Sequence, residues 1–358
     1  MKHRYTALTG IVLGAALLLS SIGCTGAPAG SGNATSAQET QPAAPEPDTR
    51  QLTDPTAYKA RQSNSIEGIE PATAAELTFT ADADGVTITG YTGGATVLVI
   101  PAELDGKPVV AVGEGAFRGA AVRALSLPDS LRRVGEYAFA NCQTLLSLCL
   151  SAGTESLGAH MLEGCARLEK LALPFVGGAA DTPETAYLGY LFGAASHTLT
   201  EGFLPASLQS VELLPGCTAV PDNAFYECSR LREIILPDTV TSVGYRAFYR
   251  CAYLTAVTLP AGLTALSDEA FSGCVRLETA DLSMLDTTDG WGIQTFRGCI
   301  SLRSVTLSDS LSGRLPSGTF AGCTALEELR GAAALEPDAS AFRGCPVYER
   351  TAGTGTGA

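Results

Sequence analysis

The chain has 358 residues, of which 46% are hydrophobic, and its formal net charge is −14. This length allows one large or two ordinary domains, and the negative charge argues against nucleic acid as a partner, because phosphate binding needs a basic surface. The chain has only three histidines, His3, His160 and His197, which argues against acid–base catalysis or zinc binding by histidine. We therefore expect no cofactor and no metal site.

The first 24 residues predict export and lipid attachment. A basic start at residues 2–4 precedes an apolar run at residues 11–19, which is too short for a stable membrane span. The run leads into the sequence SIGC, which resembles a bacterial lipobox and predicts lipidation of Cys24. The lipid would hold the protein on the outer face of a membrane without spanning it. The alternative is an ordinary secretory signal with a chance cysteine.

Residues 25–76 predict a flexible tether, because they are rich in Ala, Pro, Thr, Ser, Gln and Gly and lack aliphatic periodicity. Beyond the tether, Leu77 and Phe79, and then Val86 and Ile88, alternate on either side of an Asp-Gly turn. This pattern predicts a β-hairpin. We interpret residues 77–100 as an N-terminal cap that covers the exposed core of the first coil.

From about residue 95 the chain repeats a unit that reads C-x-x-L-x-x-V-x-L-P-x-x-L-x-x-V-x-x-x-A-F-x-x. The alternating Leu and Val positions predict a short strand with one buried face, which the proline ends. The phenylalanine is expected to fill the wide end of the coil, with the alanine allowing close packing beside it. One unit cannot bury its own apolar face, so stacked units must share a continuous core.

This unit resembles the BspA-like leucine-rich repeat of bacterial surface proteins, over nearly the whole of residues 77–348. The resemblance implies an α/β repeat solenoid, a right-handed leucine-rich-repeat superhelix with one short parallel strand per repeat and short helical or irregular turns on the other side. It also implies a role in adhesion or in binding host or microbial macromolecules. Residues 349–358 are predicted to be a disordered tail.

The recurring cysteine is interpreted as a place in the stack, where a small, buried, weakly hydrogen-bonding side chain fits a tight turn. No C-x-x-C pair occurs, which argues against zinc. Disulfides remain an alternative, because adjacent coils would bring equivalent Cα atoms to about 4.8 Å. A ladder of equivalent cysteines offers no preferred pairing, however, so free thiols are favoured.

Exposed tyrosines form the first candidate binding surface. Tyr226 and Tyr249 share the outward repeat position directly after the phenylalanine, and Tyr245 and Tyr253 are near in sequence. Tyrosines supply contact area at low entropic cost and are frequent in binding surfaces. The alternative is that they cover one another on a convex surface.

An insertion at residues 176–205 is the second candidate. It contains Tyr187, Tyr190, His197 and Phe203 among small residues. Insertions in solenoids emerge as loops on one side, often the binding side, although this one could instead be a packing element of the family. Within it, residues 191–193 are interpreted as a degenerate copy of the Ala-Phe turn.

These features together predict a non-catalytic cell-surface binding or adhesion protein. It would be exported, anchored by lipid to a bacterial membrane, and would present the repeat surface to an extracellular or envelope protein or glycan. The alternative is a structural or scaffolding envelope lipoprotein without a foreign ligand. A hydrolase would need two facing carboxylates, and the repeat pattern explains nearly all residues without such a pair.

Overall fold

The computed structural model describes residues 70–285, 288–331 and 340–346. The predicted signal peptide with Cys24, nearly all of the predicted tether and the predicted C-terminal tail lie outside these residues.

The described chain is a β-solenoid of short strands. Pairing is parallel throughout, except that β1 pairs with β2 and β4 with β5 in antiparallel fashion. The strands are β1 (Leu77–Ala81), β2 (Val86–Tyr91), β3 (Val97–Val99), β4 (Glu103–Leu104), β5 (Lys107–Val112), β6 (Ala124–Ser126), β7 (Arg133–Val134), β8 (Ser147–Cys149), β9 (Ser156–Leu157), β10 (Lys170–Leu173), β11 (Ser210–Leu213), β12 (Ala219–Val220), β13 (Glu233–Ile235), β14 (Ser242–Val243), β15 (Ala256–Thr258), β16 (Ala265–Leu266), β17 (Thr279–Leu282), β18 (Ser304–Leu307) and β19 (Glu328–Arg330).

One side of the solenoid is a parallel ladder with a strand from each coil. Strands β3, β6, β8, β10, β11 and β13 pair in chain order, and β15, β17, β18 and β19 continue the stack. The register places equivalent residues side by side, so that Leu125 pairs with Leu148 and Leu148 with Leu171, all three buried. The predicted inward Leu and Val positions thus form one continuous core.

A second ladder follows the proline of the repeat and joins β2, β5, β7 and β9, and further along β12, β14 and β16. The predicted hairpin is β1 and β2, and β2 in turn pairs with β5 in parallel. The hairpin is confined to residues 77–91, because β3 within the predicted cap already pairs with β6 of the main ladder. The hairpin therefore forms the N-terminal end of the second ladder, and β3 is the first strand of the main ladder.

The Ala-Phe turns form the third side, where backbone hydrogen bonds link coils without a strand. The N–H of Phe225 donates to the carbonyl of Ala247 at 2.7 Å, and that of Phe248 to Ala270 at 2.8 Å. The phenylalanine rings stack through the core, with Phe248 4.8 Å from Phe271. The phenylalanines are buried, as the repeat pattern predicted.

Little of the described chain is helical, so the turns opposite the strands are mostly of the irregular kind that the expected repeat solenoid allowed. Just before the Ala-Phe turn the backbone repeatedly enters the left-handed region, as at Tyr137 with φ 54°, and it does so again before the repeat cysteines, as at Asn141 with φ 60°. A left-handed residue interrupts a right-handed helical turn. The insertion contains short helices, as 3₁₀ turns at Pro183–Thr185, Leu188–Phe192 and His197–Leu199 and one α-helical turn at Thr200–Phe203.

The repeat cysteines have the structural role that the sequence predicted. Seven of them donate an S–H hydrogen bond to the phenylalanine carbonyl of the preceding coil, with Sγ–O distances of 2.8–3.2 Å. The described cysteines are free thiols. Burial raises the pKa of Cys142 to about 11, so this thiol stays protonated at neutral pH.

Candidate functional site

The insertion is built into the stack as a degenerate coil. The N–H of Leu162 donates to the carbonyl of Leu191 at 2.8 Å, which is the bond that an Ala-Phe turn makes with its neighbour. On the other side, the N–H of Leu188 donates to Ala224 at 2.8 Å. Phe192 is buried with only 2% exposure. The interpretation of residues 191–193 as a degenerate Ala-Phe turn is confirmed.

After this turn the insertion packs beside the tyrosines of the following coils. The His197 ring meets Tyr226 edge-on, with centroids 5.2 Å apart and an interplanar angle of 76°. One turn further on, the Ser229 hydroxyl donates to the carboxylate of Glu201. The two candidate surfaces that the sequence suggested separately therefore meet in one place.

Tyr226 and Tyr249 stack with centroids 5.1 Å apart and planes inclined by 16°. They do so because they hold the same repeat position in adjacent coils, which lie one strand spacing apart. The guanidinium of Arg246 lies 4.8 Å from the Tyr245 ring centroid and 5.0 Å from that of Tyr249. Arg250 lies 5.2 Å from the Tyr249 centroid. We call His197, Tyr226, Tyr245, Arg246, Tyr249 and Arg250 the aromatic surface.

Both arginines of the aromatic surface are neutralised by glutamates. Arg246 donates from Nε and Nη2 to the carboxylate of Glu269, each at 3.1 Å, and Arg250 donates to Glu227 at 3.0 Å. The hydrogen bond that Arg246 donates to the Glu269 carboxylate raises the pKa of Arg246. Burial raises the pKa of Tyr226, so its hydroxyl is protonated at neutral pH and can both donate and accept. The surface is polar but carries little net charge.

Apolar side chains border the aromatic surface on the insertion. Leu199 is 51% exposed and Phe203 is 47% exposed. They follow His197 in the short helical turns that pack on the solenoid. Exposed apolar and aromatic groups together with paired charges offer the chemistry of a contact surface for another macromolecule.

Two of the predicted binding residues belong to the interior of the insertion, which corrects the sequence interpretation. Tyr187 is only 8% exposed, and its hydroxyl donates to the carbonyl of Ala194 at 2.8 Å. Tyr190 is half-buried, packs against the core and meets the Tyr187 ring edge-on at 6.3 Å. Because each ring has partners inside the fold, these two tyrosines hold the insertion in shape.

Tyr253 is exposed but lies apart from the aromatic surface. Its ring is covered by Arg276, whose guanidinium is 4.0 Å from the ring centroid, and by Arg232 at 5.6 Å. Within the described ranges, no ring contact joins it to the other tyrosines. Proximity in sequence to Tyr249 did not bring it into the same cluster.

Sequence reasoning missed one aromatic cluster on the other side of the insertion. Tyr137 and His160 stack with centroids 4.9 Å apart, Arg118 lies 5.3 Å from the Tyr137 centroid, and Nδ1 of His160 is 2.8 Å from the Glu163 carboxylate. Tyr137 and His160 both occupy the repeat position just before the Ala-Phe turn. An alignment of the coils by that turn would have placed them together.

Metal sites and membrane spans are both absent from the described residues. These residues contain no group of three or more His, Cys, Asp or Glu side chains that could hold a metal ion. Nor do they contain a helix with the length and apolar character needed to cross a membrane.

A family model for the BspA-type leucine-rich repeat region matches six copies in residues 107–177 and 218–348, which is more than half of the chain. This chain belongs to the BspA-type leucine-rich repeat family. The matched ranges leave out residues 178–217, where the BspA-type pattern gives way to the insertion. No curated protein sequence matches the chain.

Solved structures similar to this BspA-type chain include a leucine-rich cell surface protein from Faecalibacterium prausnitzii, with 20% identity, TM-score 0.35, and coverage of 78% of this chain and 88% of that one. A leucine-rich repeat protein from Bacteroides ovatus has 20% identity and TM-score 0.35, over 78% and 93% of the two chains. The leucine-rich repeat protein of T. pallidum has 21% identity and TM-score 0.30, over 80% and 95%.

Proposed function

We propose that this chain is a non-catalytic bacterial cell-surface protein that binds a protein or glycan partner through the aromatic surface. The observation that carries the proposal is the contact of His197, from the insertion, with the stacked pair Tyr226 and Tyr249. An insertion that extends a row of half-exposed rings is an arrangement expected of a binding site.

The aromatic surface is suited to binding because its side chains are already held in place. Stacking restrains Tyr226 and Tyr249, and the bidentate bond to Glu269 restrains Arg246. Side chains that are ordered before association lose less entropy when a partner binds. Tyrosine and arginine are also the residues that most often dominate binding energy.

The place of action is part of the proposal. We infer export, lipidation at Cys24 and a tether that carries the solenoid outward, with a right-handed coil as the family resemblance implied. A Cys24→Ala variant should remain unprocessed or appear in the medium, measured by fractionation and by the mass of the mature chain. Unchanged fractionation and unchanged mass would contradict the lipid anchor.

The test of binding uses the full-length mature chain with Tyr226→Ser and Tyr249→Ser combined. Loss of two aromatic contacts, each worth more than about 1 kcal/mol, should weaken retention of host matrix, mucin or envelope components by about tenfold or more. Tyr253→Ser is the matched control, since it removes an exposed tyrosine outside the aromatic surface. Urea denaturation of each variant should confirm that the solenoid is intact.

Two outcomes would contradict the proposal. Equal retention by the double variant and by wild type would show that the aromatic surface is not the site. Retention of envelope components alone, unchanged in the double variant, would favour the scaffolding alternative.

A further inference from the structure

A cleft of about 670 Å³ opens in the C-terminal coils, at the edge formed by the Ala-Phe turns. Its lining includes Gln294, Arg297, Ser317, Ala321 and Arg343, with glycines between them. It shares no residue with the aromatic surface. The described lining holds two arginines and no aspartate or glutamate, in a chain whose net charge is −14.

Glycine at one repeat position keeps this cleft open. Gly298, Gly322 and Gly344 stand two residues after the phenylalanine, with φ values of 72°, 77° and 76°. In two earlier coils the same position holds Glu227 and Arg250, whose side chains form an ion pair across the edge, while Gly119, Gly164 and Gly273 repeat the glycine. A Cβ atom at Gly298 or Gly344 would meet no atom within 4 Å, so the backbone here borders open space.

The two arginines flank this glycine floor. Arg297 and Arg343 hold the repeat position of the stacked tyrosines, two coils apart, with Ala321 between them. At about 4.8 Å per coil their Cα atoms are separated by about 10 Å. Arg297 donates from Nη1 to Gln294 Oε1 at 3.0 Å, and across the described part of the chain neither arginine forms an ion pair.

The arginines of the cleft differ from those of the aromatic surface in lacking a glutamate partner among the described residues. There, Arg246 and Arg250 each bond a glutamate. In three N-terminal coils the position directly after the phenylalanine holds Arg118, then an alanine, then Glu163. A carboxylate therefore occupies the place that Arg343 has in the C-terminal coils. Two guanidiniums facing one cleft without a carboxylate lower the cost of bringing an anion to it.

We propose that this cleft binds an acidic saccharide, a sugar chain that carries carboxylate or sulfate groups. The guanidiniums bond oxyanions in bidentate fashion, and the small floor with Ser317 and Gln294 offers hydrogen-bonding groups for hydroxyls. Sulfate and carboxylate groups are both oxyanions that accept hydrogen bonds from a guanidinium, and separate probes distinguish them. The proposal does not depend on the aromatic surface.

A peptide fits this cleft less well than a sugar. The N–H of Gly298 donates to the carbonyl of Ala321 and that of Gly322 to Arg343, each at 2.8 Å, so the floor has no free row of N–H groups for an added strand. The lining also lacks the large apolar pocket that anchors a side chain at a protein interface.

The test measures binding of the full-length mature chain by calorimetry. The probes are a sulfated tetrasaccharide, a tetrasaccharide of uronic acids and a neutral tetrasaccharide, with a short polyglutamate as the peptide probe. Arg297→Gln and Arg343→Gln should each weaken binding of an acidic probe by about tenfold, as expected for loss of one charge-assisted bond. Arg118→Gln is the matched control at the same repeat position and should leave binding unchanged.

The proposal is supported if either acidic tetrasaccharide binds and if both cleft variants and added salt weaken that binding. The probe that binds more tightly shows whether the site prefers sulfate or carboxylate. Three results would overturn it. These are equal binding of the neutral probe, an equal loss in Arg118→Gln, or tighter binding of polyglutamate than of the sugars.

Discussion

The phenylalanine stack can be tested by replacing Phe248 with leucine. Phe248 is fully buried and lies between two parallel rings, 5.2 Å from Phe225 and 4.8 Å from Phe271. The substitution removes both ring pairs, and each pair contributes about 0.5–1.5 kcal/mol beyond buried area. The two lost pairs should therefore lower the free energy of unfolding by about 1–3 kcal/mol, in addition to the cost of lost volume. Leucine is tolerated at this repeat position, since Leu162 occupies it and is fully buried.

Phe192→Leu is the matched control. Phe192 is buried in the same column, but within the described residues it has no ring partner. Phe192→Leu should lower the free energy of unfolding through lost volume alone, with no loss of ring stacking. Urea denaturation, followed by circular dichroism and by fluorescence to check for a single transition, gives the free energy of unfolding from the midpoint and the slope. Equal losses in Phe248→Leu and Phe192→Leu would refute a stabilising role for ring stacking.

Two further predictions concern buried polar groups. Burial raises the pKa of Cys142 from 9.0 to about 11, so above pH 9 the unfolded chain loses a proton that the folded chain keeps. Stability should fall by up to about 1.4 kcal/mol per pH unit for such a thiol between these values. Cys142→Ala should lessen the decline in a pH series of urea midpoints by the share of this one thiol, since other buried repeat cysteines also have raised pKa values; an unchanged slope would contradict this. The indole N–H of Trp291 is buried without a hydrogen-bond partner in the described structure, which costs about 1–3 kcal/mol. Trp291→Phe should remove that cost and leave the urea midpoint close to that of wild type, whereas a large loss would show that the N–H is satisfied.

The sequence by itself determined the architecture, because each coil repeats the same pattern and stacking turns a repeat position into a spatial column. Phe248, Cys251 and the strand leucines are buried as their positions predicted. The same logic reached into the insertion, where residues 191–193 keep enough of the Ala-Phe pattern to be identified. It also placed Tyr226 beside Tyr249, one coil apart.

Only the tertiary structure decided which side chains of the insertion face outward. The chain on either side of residues 191–193 departs from the repeat, so no period fixes its path, and the sequence did not distinguish buried Tyr187 from half-exposed His197. The contact of His197 with Tyr226 depends on that path. Whether the charges along the edge of the Ala-Phe turns are paired depends on contacts between coils. Arg246 meets Glu269 because both residues are left-handed and project their side chains from the same edge. Repetition determines what lies in a column, and lateral packing determines what meets across columns.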